Sequence, residues 1–137
     1  MRRIGLLSVL AATALAAPLA ASAKGPDRAR VCGADRCTTV HGVAARALLD
    51  WGGQAGFEIL PAPRRVPFYR VTLYDRGHPV WRLVYAPSVR RVRITQLDVY
   101  PYEAIAPYWR ALTPAGKSAL GRATHGLRPI PAPSSWR

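Results

Sequence analysis

Two cysteines, Cys32 and Cys37, are the only ones in the chain, and the tetrapeptide Gly33-Ala34-Asp35-Arg36 separates them. Glycine accepts unusual backbone angles and aspartate hydrogen-bonds its own backbone, so the tetrapeptide reads as a turn. Val31 and Thr38 suit short flanking strands, with Arg30 and Thr39 next out. A hairpin here sets Cys32 opposite Cys37, at about the ~5.5 Å Cα separation a disulfide accepts. Closing so short a loop is worth about 2 kcal/mol in the chain-entropy picture. Two other readings use the same residues. A redox pair usually has two residues between its cysteines, whereas four stand here. With His41 the pair spells C-x4-C-x3-H, part of a zinc module, but His78 or His125 would have to complete the tetrahedron from afar. The even cysteine count favours a structural disulfide over a metal or redox site.

The first residues point to an oxidising compartment, which agrees with that reading. Arg2 and Arg3 precede an apolar run from Ile4 to Ala17, Pro18 breaks it, and Ala21-Ser22-Ala23 supplies small residues for cleavage. This is the order of a secretory signal, expected to leave residues 24–137 as one small mature domain, secreted or associated with the cell envelope. No later run is apolar enough to span a bilayer. The whole chain carries +13 at neutral pH, and loss of the two leader arginines brings it to +11. Nearly all of that charge is arginine, Lys24 and Lys117 being the only lysines. Alanine, glycine, proline and arginine all favour GC-rich codons, so composition accounts for part of the basicity. The remainder still attracts polyanions by long-range steering.

The strongest pattern lies between Phe68 and Val99. Tyr69, Val71 and Leu73 alternate with Arg70, Thr72 and Tyr74; Trp81, Leu83 and Tyr85 alternate with Val80, Arg82 and Val84. That period predicts two half-buried strands around the turn Asp75-Arg76-Gly77-His78-Pro79. A loop of odd length pairs Leu73 with Trp81, Val71 with Leu83 and Tyr69 with Tyr85, keeping the apolar residues on one face. A third strand follows with Val92 and Ile94 inward, and its phase switches at Gln96-Leu97, as at a bulge or strand end.

Helical spacing runs from Val40 to Trp51, with Val43, Ala44, Ala47, Leu48 and Trp51 on one face, Thr39 as cap and Gly52-Gly53 as stop. Leu60 to Pro67 is a proline-rich connector. A short helix is expected around Tyr102 to Leu112. A clearer one starts with Thr113 as cap and Pro114 at the first position. Ala115, Ala119, Leu120 and Ala123 line its face, and Gly126 ends it. A proline-rich extended tail occupies residues 128–137. The expected fold is α+β: a disulfide-stapled N-terminal hairpin, a helix, a three-stranded antiparallel meander and C-terminal helical turns.

The strand register turns Arg70, Thr72, Tyr74 and Arg82 away from the core, with Arg93 and Thr95 joining from the third strand and Arg90 and Arg91 in the loop before it. Guanidinium groups donate paired hydrogen bonds to phosphate and carboxylate. Arg70, Arg82, Arg90, Arg91, Arg93 and Tyr74 are therefore the candidate anion-binding residues, weighed against a merely solvated sheet face. No nucleic-acid motif accompanies them. Catalysis has little support: His41, His78 and His125 fit caps and turns, and no nucleophile elbow, zinc-protease helix or phosphate loop is present. No catalytic residue, metal ligand or cofactor is assigned.

The stretch VCGADRC behind an export-type leader, the pair FYRVTLYD and WRLVYAPS, and the closing RATHGLRPIPAP together resemble a group of small secreted proteins from high-GC Gram-positive bacteria. The resemblance covers most of the chain after the leader. It implies export and one compact domain, and it brings no activity, cofactor or site residue with it. The expected function is a non-catalytic, envelope-associated binding module for an anionic wall polymer or lipid headgroup. The alternative is a structural, protein-interaction or inhibitor domain with incidental charge, and a small enzyme or zinc protein ranks last.

Overall fold

A computed structural model describes residues 25–49, 59–97 and 109–136. The leader, its cleavage point, Trp51 and most of the helix expected around Tyr102 to Leu112 lie outside the described residues. Among the described residues seven strands form one antiparallel sheet: β1 (Arg28–Cys32), β2 (Cys37–His41), β3 (Ile59–Leu60), β4 (Tyr69–Asp75), β5 (His78–Ala86), β6 (Arg91–Leu97) and β7 (Trp109–Ala111). Their order across the sheet is β2-β1-β4-β5-β6-β7-β3. Two helices, α1 (Gly42–Ala47) and α2 (Pro114–Ala123), complete the α+β architecture. They contact each other, and both pack on the β1–β2 end of the sheet.

The hairpin forms where the cysteines place it. Cys32 pairs with Cys37, the sulfurs are bonded, and the Cα atoms stand 4.0 Å apart, closer than the sequence suggests. With both sulfurs in the bond, the C-x4-C-x3-H reading has no thiolate left to offer a metal.

The central register also follows the pattern: Tyr69 faces Tyr85, Val71 faces Leu83, and Leu73 faces Trp81. The device that sets it differs from the expected odd loop. Asp75 pairs with His78, leaving the two-residue turn Arg76-Gly77 with φ of 49° and 84°. Positive φ at both central residues marks the turn whose twist suits a hairpin. The extra residue is instead absorbed by a register shift between Leu73 and Tyr74, which leaves Val80 between paired positions. A second shift, at Arg82/Leu83, leaves Thr95 unpaired in β6, and its Oγ1 donates to the Arg82 carbonyl at 3.2 Å. That bulge accounts for the phase switch before Gln96.

The three-stranded meander is not a separate unit, because β4, β5 and β6 form the middle of the larger sheet. β1 adds to the free side of β4, pairing Ala29 with Leu73 and Val31 with Val71. On the other side β7 pairs with β6. Trp109–Ala111 is thus a strand where the sequence suggests the end of a helix; β pairing across to β6 overrides the local pattern.

The core lies on the helix-covered face. It gathers Ala29, Val31, Val71, Leu73, Leu83, Tyr85, Val92 and Ile94 from the sheet, and Ala45, Leu48, Ala119, Leu120 and Ala123 from the helices. Helix α1 is shorter than expected and turned. Val40 belongs to β2, His41 rather than Thr39 occupies the cap position, and Ala45 and Leu48 face inward while Val43 is 75% exposed. Helix α2 starts as expected: Thr113 Oγ1 accepts the Gly116 N–H at 3.1 Å, and Pro114 needs no partner at the first turn. Its buried stripe is Gly116, Ala119, Leu120 and Ala123, with Ala115 exposed.

After α2 the chain runs back along the hairpin and β4. The Tyr69 hydroxyl donates to the Leu127 carbonyl at 3.0 Å, and Ala34 N–H donates to the Arg128 carbonyl at 2.7 Å. Phe68 and Ile130 exchange backbone bonds of 3.0 and 2.8 Å. Trp136 then packs edge-on against Phe68 and Trp109, with ring centroids at 5.2 and 4.9 Å. The proline-rich segment is therefore tied to the sheet by backbone bonds at Arg128 and Ile130 and by rings at Trp136.

A candidate anion-binding face

The sheet face away from the helices carries the charge. Side chains alternate across a strand, and directly paired residues share a face. With Val31, Val71 and Leu83 in the core, the pairings Arg30–Thr72 and Thr72–Arg82 lay Arg30, Thr72 and Arg82 in one row across β1, β4 and β5. The next row towards the hairpin turn holds Cys32, Arg70 and Val84; the row on the other side pairs Arg28 with Tyr74. Arg30, Arg70 and Arg82 are exposed, and Arg28, Thr72 and Tyr74 are half-buried among them. The matching positions of β2 are Cys37, Thr39 and His41. None of these outward positions on β1, β2, β4 and β5 is acidic.

Two of the arginines are braced by rings. The Arg28 guanidinium stands 4.5 Å from the centroid of Tyr74, and that of Arg70 stands 5.9 Å from Phe68. A cation over an aromatic face is held without losing its outward donors. Tyr74, one of the candidate anion-binding residues, thus already carries Arg28.

Of the residues singled out in the sequence, Arg70, Arg82 and Tyr74 come together on this face. Arg90 and Arg91 sit apart, at the β5–β6 connection. Arg90 closes a single 3₁₀ turn (Pro87–Val89) in the left-handed region, φ 53°, with its carbonyl accepting from Leu112 N–H. Arg91 Nη1 donates to the Pro61 carbonyl at 2.9 Å, tying down the proline connector. Arg93 faces the same way as Arg70 but is only 7% exposed. Arg28 and Arg30 were not singled out from the sequence. Their signal is the alternation Arg28-Ala29-Arg30-Val31, which becomes informative once β1 is known to lie beside β4.

The corner around Arg93 is a small second core. Its cross-strand neighbours are Val84 and Trp109, and Ala86, Phe68 and Trp109 are all buried there. Trp136 touches Phe68 before β4 and Trp109 on β7, and so spans the β5 and β6 positions between them. Burial opposes the charge of Arg93, lowering its pKa from the ordinary arginine value. Trp109 and Trp136 meet here as packed rings.

Comparison with protein-family models, with curated proteins and with solved structures finds no match to this chain.

Proposed function

We propose that the protein is an exported, non-catalytic binding module that engages an anionic polymer of the cell envelope through its outer sheet face. The observation that carries this reading is the row Arg30–Thr72–Arg82 on one sheet face, with Arg28 and Arg70 in the rows on either side. Arg30 and Arg82 flank Thr72 two strands apart, about 10 Å at the backbone, and Arg70 lies diagonal to both at roughly 7–8 Å, a spacing that lets several reach successive phosphates or carboxylates of one polymer. Between the two anionic partners considered, the polymer suits the face better than lipid headgroups. Val43 on α1 is the one large hydrophobic exposed among the described residues, and it belongs to the helical layer. Among the described residues the sheet face therefore has charge but no apolar wedge for a bilayer.

The test is sedimentation with isolated cell walls and with anionic vesicles across a salt series, for wild type and Arg30→Glu/Arg70→Glu/Arg82→Glu. The expected outcome is wall binding that weakens steeply with salt and is lost in the variant, with little binding to vesicles. Wall binding that ignores both salt and charge reversal would sink this reading. It would favour the protein-interaction alternative, for which the feature to test is the sheet-edge strand β2.

A further inference from the structure

The covered corner of the outer face holds an arrangement that packing alone does not explain. Arg93 is buried between Val84 and Trp109, where an aliphatic side chain would complete the apolar contact. Its Nε–H is shut off from solvent and meets no acceptor. The indole Nε1–H of Trp136, whose ring packs on that same Trp109, is likewise buried and unmatched. Both orphans are donors, and one belongs to a cation. Along β6 the flanking outward residues are Arg91 and the bulged Thr95, and neither supplies a negative charge. Leaving a buried donor unmade is destabilising, and more so for a charged group. One donor belongs to the strand partner of Trp109 and the other to the ring packed on it, and a single acceptor with several lone pairs would match both.

We propose that Arg93 and Trp136 form a binding site for one small oxyanion, a carboxylate or phosphate group, under the C-terminal segment. The guanidinium offers Nε–H and a neighbouring Nη–H as a fork to two oxygens. The indole N–H supplies a third, neutral donor. Trp109 and Val84 make apolar walls, which strengthen the charge-assisted bonds by excluding water. This site rests on buried groups and stands independently of the exposed arginines.

Titration with sodium phosphate and, separately, sodium acetate at constant ionic strength tests it, with the Arg93 Nε–H and Trp136 indole N–H resonances followed by NMR. Both resonances should move saturably with at least one anion, and the two arms distinguish phosphate from carboxylate. Trp136→Phe keeps the ring and loses the donor, and should weaken binding about fivefold, the worth of one neutral hydrogen bond. Arg93→Met should abolish binding, and Arg93→Lys, which keeps the charge but not the fork, should weaken it at least about tenfold. Arg30→Glu/Arg70→Glu/Arg82→Glu should bind the small anion as wild type does. No saturable movement with either anion, or equal movement in Arg93→Lys and wild type, overturns the proposal.

Discussion

The carbonyl oxygen of Arg128 occupies the space that a Cβ on Gly33 would need, and it accepts the neighbouring Ala34 N–H at 2.7 Å. The hairpin turn and the C-terminal segment are therefore in backbone contact. Arg36 adds a second tie, donating from Nη2 to the Gly126 carbonyl at 2.7 Å.

Gly33→Ala should accordingly destabilise the protein by about 1–3 kcal/mol, the usual cost of overpacking a close contact. Gly121 is the control. It lies in α2 with open space around its Cα, so Gly121→Ala should stabilise by roughly 0.5–1 kcal/mol through helix propensity. Thermal or denaturant unfolding of the two variants should move in opposite directions.

Thiol titration of the unreduced, denatured protein should find no free cysteine, and two after reduction. Replacing Cys32 and Cys37 together by serine should cost about 2 kcal/mol, as expected for a short closed loop. A much larger loss would mean that the hairpin does not form on its own sequence.

Alkali should weaken the fold. Burial raises the pKa of Tyr69 above 10.0, and burial followed by the nearby Tyr69 raises that of Tyr85, with Arg90 opposing. A raised folded pKa means that the folded state holds the phenolic proton longer than the unfolded chain does. The contribution to stability is complete below about pH 10 and is lost as pH rises from there through the folded values. Tyr69→Phe should flatten that decline, at the expense of the hydrogen bond to Leu127 at lower pH. Denaturant midpoints measured from pH 8 to 11 will show it.

Trp136→Ala should cost about 2 kcal/mol, less than the 3–5 kcal/mol of a fully buried tryptophan, because Trp136 is only partly buried. It also removes the ring that packs on Trp109, which is 2% exposed. The fluorescence of the remaining tryptophans should shift to the red.

The parts of this fold that were readable in advance are those set by near neighbours in sequence. Alternation in Tyr69–Leu73 and Trp81–Tyr85 fixes which residues must share a face, so the pairing followed even though a bulge, not the loop, delivers it. Arg70 and Arg82 were placed by the same reasoning. The pairing of β1 with β4 is different: nothing local says that Arg28 will lie opposite Tyr74, and so half of the basic face was missed. Trp109 was misread for a similar reason, since three residues that gain their strand character from β6 carry little pattern of their own. For α1, Val43 has the right spacing for a core residue, but only packing against α2 and β1 decides that Ala45 and Leu48 take that side. Arg93 has the outward phase in β6 that its spacing implies. Its burial lies in the corner where Phe68, Trp109 and Trp136 pack, which its own neighbours in sequence do not announce.

The strand order also bears on when each part can form. A chain that emerges N-terminus first delivers β1 and β2 before β4, the strand that β1 must join. A lone two-stranded hairpin is marginal in water, and an unpaired strand edge invites the wrong partner. Cys32 and Cys37 are close enough in sequence to close within the hairpin itself. Beyond its few kilocalories, the bond is then a timing device: it holds Ala29 and Val31 in phase until Leu73 and Val71 arrive to meet them.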